Sequence, residues 1–415
     1  MPSLESRPPP PRAAGRSSPL RLVAPPPLRV ADVALLYGER TGEIRTYIDA
    51  RSAWARATGT IEHHLIVPGS GSGSGGGGPG RHELASLRLG AADGSRVPRG
   101  VAALQATLRA LRPDVVLLHD PFWGSLAVAR TARAIEASVV AVDHGSIALD
   151  AAALPGPDGL WRPAQRTWMQ HAVDGIVAAG DARPDCGRTP VIALRFGLDP
   201  AFAPQRGVPR EDHVLYVGRL GREKGLVELL HAAARSPEPW RLRLVGSGPK
   251  QPRLRRLAET LGLGDRVQWR PVIADRAELA RTYAAARVVV MPGAHEAFGL
   301  VGLEAAACGA SVVACSTAPS VAQMRELVRT FEPGDVGGLL RAIEAARAAE
   351  PDPDAAGALA ARSTWSAAFE AETAELARLV ERCRAARTEA LLRREWREGT
   401  RPGAAPRPPR PTLQR

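Results

Sequence analysis

The chain has 415 residues, 45% hydrophobic and 24% charged, enough for two domains with separate cores. Its net charge of +12 sits mostly at the ends: residues 1–29 hold five Arg and one Glu, and residues 384–415 hold nine Arg and three Glu. The part between is close to neutral, which argues against a nucleic-acid-binding surface on the folded body. The four cysteines, Cys186, Cys308, Cys315 and Cys383, show no C-x-x-C spacing, against a disulfide scaffold or a zinc site and in favour of a cytoplasmic location. No apolar run approaches the roughly 20 residues of a membrane-spanning helix, and the Pro- and Arg-rich start has no apolar core of a secretion signal.

In chain order, short apolar runs predict strands at Ala31–Tyr37, His64–Val67, Val115–His119, Ser138–Val142 and Gly175–Ala178. A second series follows at Val214–Gly218, Leu242–Gly246, Val267–Arg270, Val288–Met291 and Ser311–Ala314. Helical patterns lie between most of them. Continuous apolar strands alternating with helices imply parallel sheets covered on both faces. Between the two series, Asp199–Arg210 contains Pro200, Pro204 and Pro209 and reads as an interdomain hinge. The expected fold class is therefore α/β, with two Rossmann-like doubly wound parallel-sheet domains facing a cleft. The expected division is a disordered tail at 1–28, an N-terminal domain at 29–203 with a Gly/Ser-rich insertion at 69–80, a C-terminal domain at 204–363, a returning helix at 364–398 and a second disordered tail at 399–415. Thr364-Trp365-Ser366 reads as the cap of that helix, and Trp365, Phe369, Thr373, Leu376 and Leu379 recur at helical spacing.

Gly71-Ser-Gly73-Ser-Gly-Gly76 matches a dinucleotide fingerprint, but Gly77, Gly78, Pro79 and Gly80 follow, so no helix opens there. The stretch with chemical content runs from His295 to Gly309. Gly299 onward predicts a helix whose first N–H groups and dipole suit a diphosphate. Glu296 precedes that helix and Glu304 lies about one and a half turns inside it. Two carboxylates so placed reach different parts of one long ligand and accept hydrogen bonds from paired hydroxyls. Only two lysines occur, Lys224 and Lys250; every other basic side chain is Arg. Lys224 lies in Gly218-Arg219-Leu-Gly-Arg-Glu-Lys224-Gly225, at a strand end.

The Glu296-to-Glu304 stretch resembles the Glu-x7-Glu signature of retaining GT-B glycosyltransferases, notably family four, and the Gly218–Gly225 segment resembles that family's G-R-L…E-K-G motif. The resemblance implies transfer of a hexose from a GDP- or UDP-sugar to a lipid or saccharide acceptor, without metal or cofactor. It implies catalytic roles for His119, Arg219, Lys224 and Glu296: Arg219 and Lys224 on the diphosphate, Glu296 on the transferred sugar. Gly42, Gly218, Gly246, Gly248, Val272, Ile273, Phe298, Gly299, Leu300 and Glu304 would form the donor pocket, with Glu304 on the ribose and the backbone at Val272 and Ile273 near the base. His119, in the strand-end His-Asp-Pro, would lie near sugar and acceptor; His144 and Arg45 would lie on the acceptor side.

Three segments depart from the family pattern. Glu43 replaces a glycine after Gly42, Arg195-Phe196-Gly197 lacks the usual Asn, and Ser316–Ser320 lacks the Gly-Gly-x-Glu turn. A nucleotide-sugar epimerase on a related scaffold and a non-catalytic nucleotide-sugar-binding protein are the alternatives. Leu391, Leu392 and Trp396 among arginines leave open a peripheral contact with the inner face of a membrane. The only D-x-D, Asp352-Pro-Asp354, is expected in a loop outside the cleft.

Overall fold

A computed structural model describes residues 26–35, 42–69, 79–88, 96–119, 125–144, 172–179, 189–296 and 298–399. Residues 1–25 of the Pro-rich start, the Gly71–Gly76 fingerprint match, the tail from residue 400, Tyr37 and Cys186 lie outside the described residues.

The first half opens with β1 (Leu28–Ala34), helix α1 (Gly42–Thr58) and β2 (Ile61–Pro68). Next come β3 (Arg81–Leu84), β4 (Ser86–Arg88), β5 (Arg96–Pro98) and α2 (Ala102–Leu111). The half closes with β6 (Val115–His119), α3 (Ser125–Ala134), β7 (Ser138–Asp143), β8 (Gly175–Ala179) and β9 (Val191–Leu194). Seven of these strands form one parallel sheet in the order β3-β2-β1-β6-β7-β8-β9. β4 and β5 pair antiparallel beside it.

The second half runs β10 (Glu211–Val217), α4 (Leu226–Arg235), β11 (Arg241–Val245), α5 (Gln251–Thr260) and β12 (Val267–Arg270). It continues with α6 (Arg276–Ala285), β13 (Ala286–Met291), α7 (Leu300–Ala307) and β14 (Ser311–Cys315). The last pieces are α8 (Val321–Met324), β15 (Val328–Phe331), α9 (Val336–Ala348) and α10 (Pro353–Arg362). Its sheet is also parallel, in the order β12-β11-β10-β13-β14-β15. The central strands of both sheets are almost wholly buried, because helices cover both faces.

Strand order fixes where ligands can enter. The first sheet reverses direction of winding between β1 and β6, and the second between β10 and β13. Each reversal leaves a crevice at the carboxyl ends of two neighbouring strands.

The final helix, α11 (Trp365–Gly399), leaves the second half and returns to the first. Thr364 caps it, its Oγ1 accepting from the Ala367 N–H at 3.2 Å. Phe369, Leu376, Leu379 and Val380 bury its inner face in the core that α1 also lines. Farther on, Arg384 pairs with Asp114 and Arg387 donates to the carbonyls of Glu136 and Ala137. Leu391, Leu392 and Trp396 lie beyond these anchors and are exposed.

Four short strands, β3, β5, β9 and β15, were not among the predicted runs; each has only three or four residues and too little alternation to register. β4 is missed for the same reason. The proline in the first turn of α5 is Pro252, while Pro249 belongs to the preceding turn. Asp352 of the D-x-D is a helix cap: its Oδ1 accepts from the N–H groups of Asp354 and Ala355.

Candidate functional site

The carboxyl ends of β10 and β13 bring Lys224 and Glu296 together. After β10 the chain turns through Gly218 and Arg219 into a single 3-10 turn at Arg222–Lys224, then enters α4 through Gly225. Gly225 has φ +63°, and a Cβ there would lie 2.2 Å from the Pro292 carbonyl oxygen. Glycine therefore lets the Lys224 backbone lie directly against the loop after β13. Across that contact, Lys224 Nζ is 2.7 Å from Glu296 Oε2, with both side chains largely buried. Arg219 is more open and its guanidinium is 2.6 Å from Glu223 Oε1.

Gly246 has φ +146°, and a Cβ there would fall 1.9 Å from the Gly218 carbonyl oxygen. The turns after β10 and β11 are packed backbone to backbone, with Leu220 N–H donating to the Ser247 carbonyl and Lys250 N–H to the Leu220 carbonyl. Gly248 serves the same close packing, its Cβ position 2.5 Å from the Leu220 carbonyl oxygen. In the loop after β12, Val272 is 63% exposed, and Ile273 packs partly against the core.

Gly299, at φ +92°, precedes α7. The helix is buried on nearly all sides, and its N-terminal end points the positive end of its dipole toward the Glu296 loop. Leu300 is its first residue. Phe298 stacks on Phe196, with ring centroids 4.1 Å apart, so the site loop rests on the end of the first half. The segment that departs from the family turn still clamps this loop: Thr317 Oγ1 donates to the Ala294 carbonyl at 2.7 Å, and Ser320 N–H to the Phe298 carbonyl at 2.9 Å. Gly197 is required by close packing, since a Cβ there would lie 2.2 Å from the Trp365 nitrogen.

Inside α7, Glu304 Oε2 accepts from the Tyr283 hydroxyl of α6 at 2.9 Å. Burial, then the adjacent Glu304, raises the Tyr283 phenol well above its ordinary value, so it stays a donor. Burial, then Glu304, also pushes the Cys308 thiol up to about 12.

The first half differs from expectation at His119. The ring is fully buried, with Nε2 3.0 Å from Asp32 Oδ1 and Nδ1 2.7 Å from His144 Nε2. Both nitrogens are thus engaged inside the protein, and direct contact with a ligand does not fit this arrangement. His144 follows β7 and its Nδ1 is buried without a hydrogen-bond partner among the described residues. The cluster extends to His63, whose Nε2 is 2.7 Å from Asp32 Oδ2, and to Arg51 and Tyr47 of α1 and Glu372 of α11.

Gly42 is the first residue of α1, at the carboxyl end of β1. Arg45, one turn on, lies elsewhere. It lines a crevice of about 800 Å³ with Asp49, Trp54, Asp199, Arg276 and Trp365, at the hinge. None of Arg219, Lys224, Glu296 and Glu304 borders that crevice. The sequence reading did not single out Asp32 or Tyr283. An Asp within an apolar strand is a visible anomaly; Tyr283 carries no local signal.

Residues 201–357 match the family Glycosyl transferases group 1, and residues 47–182 match Glycosyltransferase Family 4. Over 316 residues the chain is 29% identical to a GDP-mannose-dependent alpha-(1-6)-phosphatidylinositol dimannoside mannosyltransferase of Mycobacterium tuberculosis, spanning 70% of this chain and 80% of that protein. It is 31% identical over 289 residues to D-inositol 3-phosphate glycosyltransferase 1 of Catenulispora acidiphila, spanning 60% of this chain and 69% of that protein. Among solved structures, a sucrose-phosphate synthase from Thermosynechococcus elongatus is similar with a TM-score of 0.64 at 21% identity, over 86% of this chain and all of that one. Anabaena Alr3699/HepE in complex with UDP and glucose is similar with a TM-score of 0.61 at 16% identity, over 85% of this chain and 99% of that one. At these identities the structural likeness concerns the fold.

Proposed function

Because the chain belongs to the family 4, or group 1, glycosyltransferases and has a GT-B fold, we propose that it transfers a hexosyl group with retention from a nucleoside-diphosphate sugar to a lipid or saccharide acceptor. The observation that carries the proposal is the Lys224–Glu296 pair beside the start of α7, at the winding reversal between β10 and β13.

In this reading the donor diphosphate lies against Lys224, Arg219 and the α7 N-terminus. As the sugar–oxygen bond breaks, negative charge builds on the diphosphate, and these fixed positive groups stabilise it. Lys224 exchanges its contact with Glu296 for phosphate, and Glu296 turns to hydroxyls of the sugar. Glu304, braced by Tyr283, takes the ribose hydroxyls. The backbone at Val272 and Ile273 flanks the base. The acceptor hydroxyl attacks from the face the leaving group occupied, and a phosphate oxygen of that group takes its proton. The diphosphate charge is met by protein groups, so transfer is expected to continue in excess EDTA.

One relative is named for GDP-mannose and phosphatidylinositol dimannoside and another for D-inositol 3-phosphate, which favours GDP-hexose among the GDP- and UDP-sugars and an inositol-bearing acceptor. Thermal unfolding with GDP, UDP, GDP-mannose and UDP-glucose tests the donor side, since a bound nucleotide raises the midpoint. Lys224→Ala and Glu296→Ala are each expected to lower turnover at least about a hundredfold. Turnover within about threefold of the parent in both variants, or no stabilisation by any of the four compounds, would sink the proposal. Conversion of the donor without any acceptor would mark an epimerase instead.

A further inference from the structure

Asp32 lies in the middle of β1, fully buried, and the donor chemistry above does not use it. Its two oxygens have separate tasks. Oδ1 is 3.0 Å from His119 Nε2, Oδ2 is 2.7 Å from His63 Nε2, and the Arg51 guanidinium is 3.7 Å from Oδ2. Burial alone would raise this carboxyl, but Arg51 and the hydrogen bonds to His119 and His63 outweigh it and hold Asp32 well below the usual carboxylate range. An ionised carboxylate only accepts hydrogen bonds, so His119 must carry its proton on Nε2. In a neutral ring Nδ1 is then an acceptor, and the group 2.7 Å from it, His144 Nε2, must donate. The last nitrogen of the series, His144 Nδ1, keeps its lone pair. It is buried, at the carboxyl end of β7, and has no hydrogen-bond partner among the described residues. Burial above all holds the His144 ring well below its ordinary value and therefore neutral.

The surroundings leave these rings little freedom. The two imidazoles are 17° from parallel, with centroids 5.0 Å apart, and Tyr47 meets both edge-on at 6.1 and 5.6 Å. Tyr47 and Arg51 are in turn tied to Glu372 of α11.

We propose that Asp32 is a positioning residue which, through His119, sets the tautomer of His144 and so presents Nδ1 of His144 as a hydrogen-bond acceptor to a hydroxyl of the donor sugar or of the acceptor. The ligand chemistry is a hydroxyl seeking an acceptor; a group offering only acceptors gains nothing there. The inference rests on the glycosyl-transfer reading of the cleft. It also explains why a carboxylate is kept in the centre of an apolar strand: Asn would offer one acceptor oxygen to two histidines, and one ring would have to turn over or lose its partner.

The test uses the full chain with ¹⁵N-labelled histidine. Imidazole ¹⁵N spectra at neutral pH are expected to show His119 and His144 both protonated on Nε2 and bare on Nδ1; a proton on His144 Nδ1 overturns the proposal. In activity, release of nucleoside diphosphate from whichever sugar nucleotide stabilises the chain is expected to have kcat lowered about tenfold in Asp32→Asn, the scale of one hydrogen bond. The same substitution in a His144→Phe background should cause no further loss, because Asp32 acts through that ring. Equal losses in both backgrounds would show a purely structural role and overturn the proposal. An effect on donor hydrolysis by water assigns Nδ1 to the donor sugar, and an effect confined to transfer onto added phosphatidylinositol or inositol phosphate assigns it to the acceptor. If no nucleoside diphosphate stabilises the chain, the donor reading fails while the tautomer assignment is still decided by the spectra.

Discussion

Glu304 and Tyr283 show how a buried contact from another helix orients a carboxylate. The buried phenol donates to one carboxylate oxygen at 2.9 Å and cannot ionise near neutrality, so it orients Glu304 permanently. Tyr283→Phe is expected to raise the donor KM about tenfold with kcat little changed, since one hydrogen bond to a charged group is worth about 1.5 kcal/mol and in the proposed reading this one concerns binding. Steady-state kinetics with varied donor checks it; an unchanged KM would separate Glu304 from donor binding. At this scale the sequence was uneven. Lys224 stood out against an Arg-rich background and the Glu pair by its spacing, but Tyr283 lies 21 residues from Glu304 in another helix. His119 was legible as a strand-end histidine, whereas its partners Asp32 and His144 come from other strands of the sheet.

Among the elements, α11 carries the most consequence. It brings Glu372 against Arg51 and Tyr47 of α1, more than 300 residues earlier in the chain, all three nearly free of solvent. Removing one partner of a buried ion pair strands the other charge in the interior. Glu372→Ala is therefore expected to cost about 3–5 kcal/mol in denaturant unfolding. A cost within 1 kcal/mol for the single change, about the level of an exposed pair, would contradict this. The helix itself was predictable from Trp365, Phe369, Leu376 and Leu379, since helical spacing is local. Its destination was not, because nothing within the helix specifies which sheet receives its apolar face.

For the whole molecule, each of the two parallel sheets reverses its winding once, and Phe196 of one half stacks on Phe298 of the other. Stability of this assembly should depend on pH. Burial, then Arg243, lowers the His213 imidazole of β10 to about 4, while the same group in the unfolded chain titrates near 6.5. Its folded value lies below its unfolded one, so the unfolded chain binds the proton more readily. Stability is full above pH 6.5 and declines as pH falls toward about 4. The buried His144, shifted in the same direction, adds to the decline. Urea unfolding between pH 4 and 8 should show this slope, and His213→Leu should flatten it; an unchanged slope in that variant would assign the effect elsewhere.

From the sequence alone, the parallel α/β class, the hinge prolines and the Glu296–Glu304 and Arg219–Lys224 motifs could be read, because periodicity, turn chemistry and loop spacing act over a few residues. Only the tertiary structure decided what each side chain meets. It set Lys224 on Glu296, Tyr283 under Glu304, Asp32 behind His119, and Arg45 at the hinge crevice away from the donor motifs. The physical reason is that such pairings depend on which strands become neighbours and on where glycines let backbones touch. Strand order is a property of the complete sheet and leaves no mark within any one segment.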